Sequence, residues 1–278
     1  MQTWRFIRSG KLSPAMNMAV DEAILQAHSE NRVPPTVRFY GWEPASLSIG
    51  YFQKAREEVN FDTLAAHNLG FVRRPTGGRA VLHDQELTYS MIVTEQYPGL
   101  PTNVTEAYRV LSEGLLQGFI NLGLNAHMAR LDEDGAKYAA ASSAACFDSP
   151  SWYELVVEGR KIAGSAQTRQ KGVVLQHGSI LLDMDVELLF DVLKFPNERV
   201  KERLKRSFTD RAVAINELLR SAGKPEVRLD QVENAFYEGI QEGMGIRLEA
   251  GELTAYENEL AEQLAREKYE TEEWNFRR

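Results

Sequence analysis

Two residues in one glycine-containing segment have side chains suited to nucleophilic catalysis. Cys146 is the only cysteine of the chain, and Lys161 follows it in the segment ACFDSPSWYELVVEGRKIAGSA. An unperturbed thiol has a pKa of about 8.5, so only about 3% of it is thiolate at pH 7. A nearby ammonium lowers that pKa and makes the thiolate available. The pair predicts covalent catalysis, and the alternative is an inert buried cysteine with a solvated hairpin lysine.

A second candidate is the motif RRPTGGRAVLHD, which runs from Arg73 to Asp84. Paired glycines let a backbone approach a ligand closely and leave amide groups free to receive negative charge, which Arg73 and Arg74 would reinforce. The alternative is a β-turn flanked by surface arginines. The motif is neither a P-loop nor a dinucleotide fingerprint, because GxxxxGK[ST] and GxGxxG do not occur.

The histidines do not have the spacing of metal ligands, and no HExxH motif occurs. We therefore expect no metal. Among the five histidines, His83 and His177 lie in strand-like runs beside acids or glycine, which predicts that they line a pocket. A hydrogen-bonded structural histidine is the alternative for each.

Composition excludes several classes of function. The net charge of −8 argues against general nucleic-acid binding. A single cysteine excludes an internal disulfide and CxxC sites. The first residues, MQTWRFIRSG, contain no apolar signal core, and no run has the length of a membrane span. We expect a cytoplasmic enzyme in which the thiol stays reduced.

The elements that must position these residues follow from the hydrophobic pattern. Ser13 as N-cap and Pro14 in the first turn predict an amphipathic helix through SPAMNMAVDEAILQAHSE. The runs VRFYGW and SLSIGYF are predicted strands, and a short helix follows that ends at Gly70. FVRRPT and AVLHDQELTYSMIVTE are predicted strands on either side of the turn GGR, and TEAYRVLSEGLLQGFINLG is a predicted helix.

No helical or strand period is present between residues 129 and 150, so Cys146 is expected on a loop. A meander of three strands is predicted next, in WYELVVE, KIAGSAQT and VVLQHGSILLD. Beyond about residue 186 the pattern becomes helical. Two capping boxes, Asp230 with Glu233 and Thr254 with Glu257, are predicted to open helices there. Because the strands follow one another in hairpins, the fold class is α+β, a mixed or antiparallel sheet packed with helices.

Taken together, RRPTGGRAVLHD, GRKIAGSAQ and LQHGSILLD resemble motifs of the superfamily of lipoate-protein ligases, biotin-protein ligases and octanoyltransferases. The likeness covers roughly residues 30 to 250. The segment CFDSPSWYELVVEGRKIAGSAQTRQKG is more closely similar to octanoyltransferases of the LipM type. The resemblance implies a ligase-like catalytic domain over residues 1–250, with its motifs at about 30–185, and a helical extension over 251–278.

The resemblance also implies roles for individual residues. Cys146 would be the acyl-thioester nucleophile, and Lys161 would lower the pKa of its thiol. The residues implied to bind the acyl substrate are Arg73, Arg74, Gly77, Gly78, His83, Gly164, Ser165, Ala166, His177 and Gly178. The donor would be octanoyl-acyl carrier protein, and the acceptor would be a lipoyl-domain protein, the glycine cleavage H protein. A monomer without cofactors is expected.

Departures from the wider superfamily bear on the chemistry that the resemblance implies. ATP-dependent lipoate ligases have a third glycine where this chain has Arg79, and they lack a cysteine at position 146. The other octanoyltransferase family has its cysteine just before the histidine-glycine pair, where this chain has Val174, Leu175 and Gln176. These differences favour thioester exchange.

Three other functions remain open from the sequence. An amidotransferase would move octanoyl from one lipoyl domain to another through the same cysteine. An ATP-dependent lipoate ligase would form an adenylate. A non-catalytic protein would only bind lipoyl domains or a biotin-like effector. The basic run ERVKERLKRSFTDR adds a further hypothesis, because it would suit docking of an acidic partner or simply form a solvated helix face.

Overall fold

The structure is a computed structural model that describes residues 1–130 and 153–278. Cys146 and the loop predicted around it lie outside the described residues. No helix among the described residues is long and apolar enough to cross a membrane.

A six-stranded mixed sheet forms the centre of the fold, in the order β10-β11-β6-β2-β1-β12. β1 pairs in parallel with β2 and β12, and the other pairs are antiparallel. The strands are β1 (Gln2–Leu12), β2 (Thr36–Trp42), β6 (Glu86–Thr94), β10 (Ala163–Gln170), β11 (Val173–Leu181) and β12 (Ile246–Ala250). The predicted α+β class with a mixed sheet is confirmed.

Two three-stranded sheets flank this one. The first has the order β4-β3-β5 and contains β3 (Ser46–Ile49), β4 (Gly70–Arg73) and β5 (Val81–His83). The second has the order β7-β8-β9 and contains β7 (Ala126–Arg130), β8 (Tyr153–Val157) and β9 (Arg160–Lys161). The predicted meander is therefore divided, because β8 and β9 pair with β7 while β10 and β11 join the central sheet.

Helices cover both faces of the central sheet. They are α1 (Pro14–Ser29), α2 (Ala55–Glu58), α3 (Phe61–Ala66), α4 (Val104–Asn121), α5 (Val186–Asp191), α6 (Glu198–Arg211), α7 (Ile215–Ser221), α8 (Leu229–Met244), α9 (Ala255–Leu264) and α10 (Glu272–Asn275), with a π-helical turn at Ala265–Tyr269 between the last two. α1 and α9 share a core on one face, and α4 and α8 share a core on the other. Ser13 caps α1 by accepting from the Met16 amide, and Pro14 occupies the first turn as predicted.

The pair α4 and α8 approaches closely because glycines lie at the crossing. A methyl group placed on Gly239 would lie 2.3 Å from the Gly118 nitrogen, and one placed on Gly118 would lie 2.6 Å from the Phe236 ring. A side chain at either glycine would push the helices apart.

Several local predictions are wrong for identifiable reasons. The run AVLHDQELTYSMIVTE is two strands, because the chain leaves the small sheet after His83 and enters the central sheet at Glu86. The N-terminal residues form β1, and β12 interrupts the helical C-terminal part by pairing in parallel with it. α8 begins after Arg228, whose capping partner is Gln231, and not at the predicted pair. The capping box of Thr254 and Glu257 is confirmed.

A buried ion pair joins the two ends of the chain. Arg5 on β1 donates to both carboxylate oxygens of Glu257 at the start of α9, at 2.9 and 2.5 Å. Glu257 is fully buried and Arg5 is 9% exposed. Burial alone would raise the pKa of Glu257, but hydrogen bonds from Arg5 and Thr254 outweigh it and lower the pKa. The pair therefore favours the folded state as long as the carboxyl is ionised.

We expect Glu257→Gln to lower the free energy of unfolding by about 3 kcal/mol at neutral pH, since it leaves the Arg5 charge buried without its partner. Because folding lowers the pKa of Glu257, its contribution is present above the ordinary carboxyl pKa of about 4.3 and is lost as the pH falls below it. Urea unfolding at several pH values measures both effects. Glu259→Gln, at an exposed position of the same helix, is the control. A constant difference between wild type and Glu257→Gln down to pH 3 would contradict the assignment.

Candidate active site

A pocket lies between the central sheet and the small sheet of β3, β4 and β5. It is a narrow cleft that opens to solvent. The lining residues are Met18, Tyr40, Trp42, Arg74, Val81, His83, Thr88, Gly164, Ser165, Ala166, His177, Gly178 and Ser179. Seven of the residues predicted to bind substrate thus lie around one cavity, namely Arg74, His83, Gly164, Ser165, Ala166, His177 and Gly178. Their role in binding stays a prediction.

Glycines make this side of the pocket possible. A methyl group on Gly178 would lie 2.4 Å from the Gly164 carbonyl oxygen of the paired strand and 2.8 Å from the Tyr89 ring. At the rim, a methyl group on Gly50 would lie 2.0 Å from the Gly78 carbonyl oxygen, and Gly78 itself has a φ of +90°. The glycine loop is the segment of residues 74–80 between β4 and β5, and its backbone therefore packs directly against Gly50 at the end of β3.

His177 is fixed by a buried carboxylate that the sequence analysis did not single out. Its Nδ1 lies 3.4 Å from an oxygen of Asp21, on α1. Its Nε2 lies 2.7 Å from the hydroxyl of Thr76, in the glycine loop. Asp21 can only accept while ionised, so Nδ1 carries the proton and the Thr76 hydroxyl donates to Nε2.

The same carboxylate is satisfied by three further donors, namely Arg38, Tyr40 and Ser90 at 2.8, 3.0 and 2.8 Å. Burial would raise the pKa of Asp21, but Arg38 and His177 outweigh it and lower the pKa. Burial lowers the pKa of His177 despite the opposing effect of Asp21. His177 is therefore a neutral imidazole at neutral pH.

His83 has the same arrangement with different partners. Its Nδ1 lies 2.7 Å from Glu86 and its Nε2 lies 2.6 Å from the Ser48 hydroxyl. Its ring stacks on Trp42 at a centroid distance of 4.0 Å. Glu86 also accepts from the hydroxyls of Thr88 and Ser179. His83 is therefore a hydrogen-bonded structural histidine, which was the alternative to a pocket-lining role, and it also lines the pocket.

Both arrangements have the order carboxylate, imidazole, hydroxyl that is found in serine hydrolases. The hydroxyls are the difference. Ser48 and Thr76 are fully buried, and Ser48 also accepts from Arg74 at 2.7 Å. A nucleophile must reach its substrate, so these hydroxyls support the histidines and do not replace the predicted cysteine.

Asp21 and Glu86 are the residues that sequence reasoning missed. A signal was present for Asp21, because an acid in MNMAVDEAIL interrupts an apolar helix face and is buried only when paired. Glu86 gave no such signal, since it lies in a run of alternating polar and apolar residues.

The two arginines of the motif are placed differently. Arg74 lines the pocket, and its Nη2 donates to the carbonyl oxygens of Gly77 and Arg79, which shapes the glycine loop. Arg73 is fully buried, is not among the lining residues, and donates to backbone carbonyl oxygens of Gly50, Gln53 and Asn275. The structure therefore does not bring Arg73 into the pocket. The hydrogen bonds of Arg73 join the loop after β3 to the C-terminal helix α10.

Lys161 is buried, with 7% of its surface exposed, so the alternative of a solvated hairpin lysine is wrong. Its Nζ lies 3.0 Å from Oε1 of Glu154 on the neighbouring strand β8. It is not among the residues that line the pocket, but only Ile162 and Ala163 separate it from Gly164. Lysine is rarely buried without a partner, and Glu154 supplies one here.

Within the part of the chain that the structure describes, no group of three His, Cys, Asp or Glu side chains is placed to hold a metal ion. The carboxylates near the pocket instead accept hydrogen bonds from protein donors.

Comparison with known proteins gives a consistent result. Residues 13–241 match the family model described as the lipoyl protein ligase A/B catalytic domain. The chain is 62% identical to the octanoyltransferase LipM of Kyrpidia tusciae, covering 100% of both chains. It is 58% identical to the octanoyltransferase LipM of Bacillus subtilis, covering 100% of this chain and 99% of that one.

Solved structures are similar over nearly the whole chain. A bipartite lipoate protein ligase from Thermoplasma acidophilum, studied with its E2 lipoyl domain, has a TM-score of 0.82 at 28% identity, covering 99% of this chain and 97% of that one. Lipoate-protein ligase A bound with ATP has a TM-score of 0.78 at 28% identity, covering 99% of each chain.

Replacing Thr76 tests the support of His177. We expect Thr76→Val to lower the free energy of unfolding by about 1–3 kcal/mol, because it keeps the shape of the side chain but leaves a buried nitrogen without its donor. Thr76→Ser, which keeps the hydroxyl, should cost about 1 kcal/mol. Chemical denaturation gives the free energies, and nitrogen NMR of the imidazole reports the changed environment of Nε2. An unaltered Nε2 resonance in Thr76→Val would show that the bond does not form.

Proposed function

The chain belongs to the lipoyl protein ligase A/B catalytic domain family, and we propose that its octanoyl transfer in protein lipoylation passes through a thioester on Cys146. The observation that carries this is the full-length identity of 62% to a known octanoyltransferase, combined with a single cysteine in the segment that resembles LipM-type octanoyltransferases. The acceptor is a lipoyl domain. We further propose that the donor is octanoyl-acyl carrier protein and that the acceptor is the glycine cleavage H protein.

In the first half-reaction the Cys146 thiolate attacks the carbonyl carbon of the donor thioester. A new carbon–sulfur bond forms, the bond to the pantetheine sulfur breaks, and the departing thiolate takes up a proton. One thioester replaces another, so the step is nearly thermoneutral and needs no ATP. Backbone amides of the Gly77 or Gly164 turns are the proposed donors to the oxyanion.

In the second half-reaction the neutral amine of the acceptor lysine attacks the acyl-enzyme. A carbon–nitrogen bond forms, the amine loses a proton, and the Cys146 thiolate leaves. The product is an amide, which is more stable than a thioester, so the second step drives the sequence forward.

Lys161 is proposed to stabilise the thiolate as an ammonium and to give its proton to the departing pantetheine thiolate. The neutral Lys161 amine is then proposed to receive the proton of the incoming lysine amine. Its burial supports this role, because a charge in a low-dielectric environment acts more strongly on its neighbours than a solvated one. Glu154 holds the ammonium at a fixed point, 3.0 Å from Oε1. Each unit by which the pKa of the thiol is lowered corresponds to about 1.4 kcal/mol.

The pocket is proposed to hold the octanoyl chain. Met18, Tyr40, Trp42 and Val81 supply apolar walls. Burying the six methylene groups of an octanoyl chain at roughly 0.8 kcal/mol each gives on the order of 5 kcal/mol of binding energy. Because His177 is neutral, this side of the pocket does not impose a charge on an apolar guest.

Two enzymatic alternatives differ by the donor. An amidotransferase would load Cys146 from an octanoylated lipoyl domain, and a ligase would use ATP and a free acid. The resemblance implies that ATP-dependent ligases have glycine where this chain has Arg79. The side chain of Arg79 occupies that position here, and its guanidinium lies 3.8 Å from the Glu58 carboxylate. This observation favours thioester exchange over adenylation.

Loading of Cys146 is tested by intact-protein mass spectrometry after mixing with octanoyl-acyl carrier protein without ATP. We expect a mass gain of one octanoyl group that hydroxylamine removes, and that apo-H protein discharges. Cys146→Ser is the matched control and should carry no hydroxylamine-labile adduct. Loading only from octanoylated H protein would establish the amidotransferase, and a lack of loading from either donor would remove Cys146 from the mechanism.

The role of Lys161 is tested through the reactivity of the thiol. Because the chain has one cysteine, iodoacetamide reports on Cys146 alone. We expect Lys161→Met to move the pH dependence of alkylation upward by about one unit or more, since the ammonium no longer favours the thiolate. Lys161→Arg, which keeps a charge, should stay nearer the wild type. An identical pH dependence in wild type and Lys161→Met would mean that Lys161 does not act on the thiol.

A further inference from the structure

Phe52 is the most exposed large apolar side chain of the described residues apart from Met1, with 65% of its surface accessible. It lies in the loop that follows β3, and its ring meets the Tyr51 ring edge-on at a centroid distance of 5.0 Å. One exposed apolar side chain is ordinary in a folded protein, but aromatic side chains are enriched at protein–protein interfaces, so the surroundings of Phe52 decide its meaning.

Arginine side chains stack on these rings. The guanidinium of Arg277 lies 4.4 Å from the centre of the Tyr51 ring and 5.0 Å from that of Trp274. The guanidinium of Arg278 lies 5.4 Å from the centre of the Phe52 ring. We call the surface formed by Tyr51, Phe52, Trp274, Arg277 and Arg278 the aromatic shelf. Aromatic residues and arginine are the side chains most enriched among the dominant contacts of protein interfaces.

The shelf carries positive charge in a chain whose net charge is −8. Nearby carboxylates already face other cations, as Glu57 faces Lys54 and Glu272 faces Arg56. Among the described residues, no carboxylate lies within ion-pair distance of Arg277. Burial lowers the pKa of the underlying Arg73, and the positive charges of Arg277 and Arg278 lower it further. The guanidinium of Arg277 therefore contacts aromatic rings and no carboxylate of the described residues.

The shelf adjoins the pocket through the glycine loop. A methyl group placed on Gly77 would lie 4.0 Å from the Phe52 ring, and one placed on Gly78 would lie 3.9 Å from Cβ of Ala166, which lines the pocket. The loop thus lies between the shelf and the cavity. Arg73 joins the two supporting segments, because it donates to carbonyl oxygens of Tyr51 and Trp274 at 3.0 and 3.2 Å.

We propose that the aromatic shelf docks the acceptor lipoyl domain through an acidic face beside its target lysine. This rests on the proposed function, because the lysine must reach an acyl group held in the pocket. A lysine side chain extends only about 6 Å from its Cα, so the surface around it must touch the enzyme at the mouth of the pocket. A pantetheine arm is several times longer and lets its carrier protein dock farther away. Proximity to the mouth therefore favours the acceptor as the occupant.

The basic run of the sequence is the rival docking surface. It forms α6, where Lys201 pairs with Asp191 at 2.5 Å and Lys205 pairs with Glu202 at 2.7 Å. These lysines are already neutralised by acids on and near the helix. Arg203 is exposed on the same helix and supplies a matched control for charge reversal.

The test is the affinity of the full chain for apo-H protein, measured by fluorescence anisotropy without acyl donor. We expect Phe52→Ala and Arg277→Glu each to weaken binding roughly tenfold, because truncating an interface anchor commonly has an effect of that size. Arg203→Glu should bind as the wild type does. Binding by the wild type should also weaken with salt, and less so for Arg277→Glu, since exposed charges are screened.

Equal affinity of wild type, Phe52→Ala and Arg277→Glu for apo-H protein would overturn the proposal, as would an equal loss in Arg203→Glu. The proposal would also be overturned if the shelf variants lost affinity for acyl carrier protein and kept their affinity for apo-H protein, because the surface would then serve the donor. The assay involves no acyl transfer, so its outcome is separate from that of the thioester experiment. An enzyme that fails to form the thioester but binds apo-H protein through the shelf would refute only the proposed chemistry.

Discussion

The carboxylate of Asp21 is the constraint on which the site depends. A buried carboxylate is tolerated only when its oxygens accept hydrogen bonds, and here the donors come from separate parts of the chain. Arg38 and Tyr40 belong to β2, Ser90 to β6 and His177 to β11. These hydrogen bonds therefore fix the position of α1 on the sheet and its rotation about the helix axis. Because the Thr76 hydroxyl donates to Nε2 of His177, the same carboxylate also sets the position of the glycine loop.

This constraint explains why a polar network lies under a pocket with apolar walls. The ring N–H group of each histidine is hydrogen-bonded to a protein carboxylate, so neither ring presents an unpaired N–H to the cavity. Burial favours the neutral form of His177 and the Asp21 charge is balanced by Arg38. These polar groups are hydrogen-bonded to one another, so they define the shape of the cavity and leave no unpaired donor or acceptor against an acyl chain. The lining can thus be selective for shape.

Local signals predicted the elements well, and long-range pairing limited the rest. Ser13 with Pro14 and Thr254 with Glu257 are short-range signals, and both helices begin where these residues predict. β1 and β12 were missed because parallel partners far apart in the chain stabilise them. Most residues of the motifs gathered around one pocket, yet Arg73 points elsewhere, because its carbonyl acceptors lie in the loop after β3 and in the C-terminal helix α10. Which side chains enter a cavity depends on packing that a motif does not encode.

The glycine loop illustrates how one scaffold can support different acyl chemistry. Gly78 is required by its backbone, since its φ is +90° and its carbonyl packs against Gly50. Position 79 has no such demand, because Arg79 does not have a positive φ and its carbonyl simply accepts from Arg74. A side chain is therefore allowed at the third position of the loop without disturbing the first two. Resemblance to ATP-dependent ligases implies glycine there, and in this chain Arg79 faces Glu58 and adds a charged side chain to the surface of the loop. The conformation of the loop thus belongs to the fold, and the chemistry can vary with the residues placed on it.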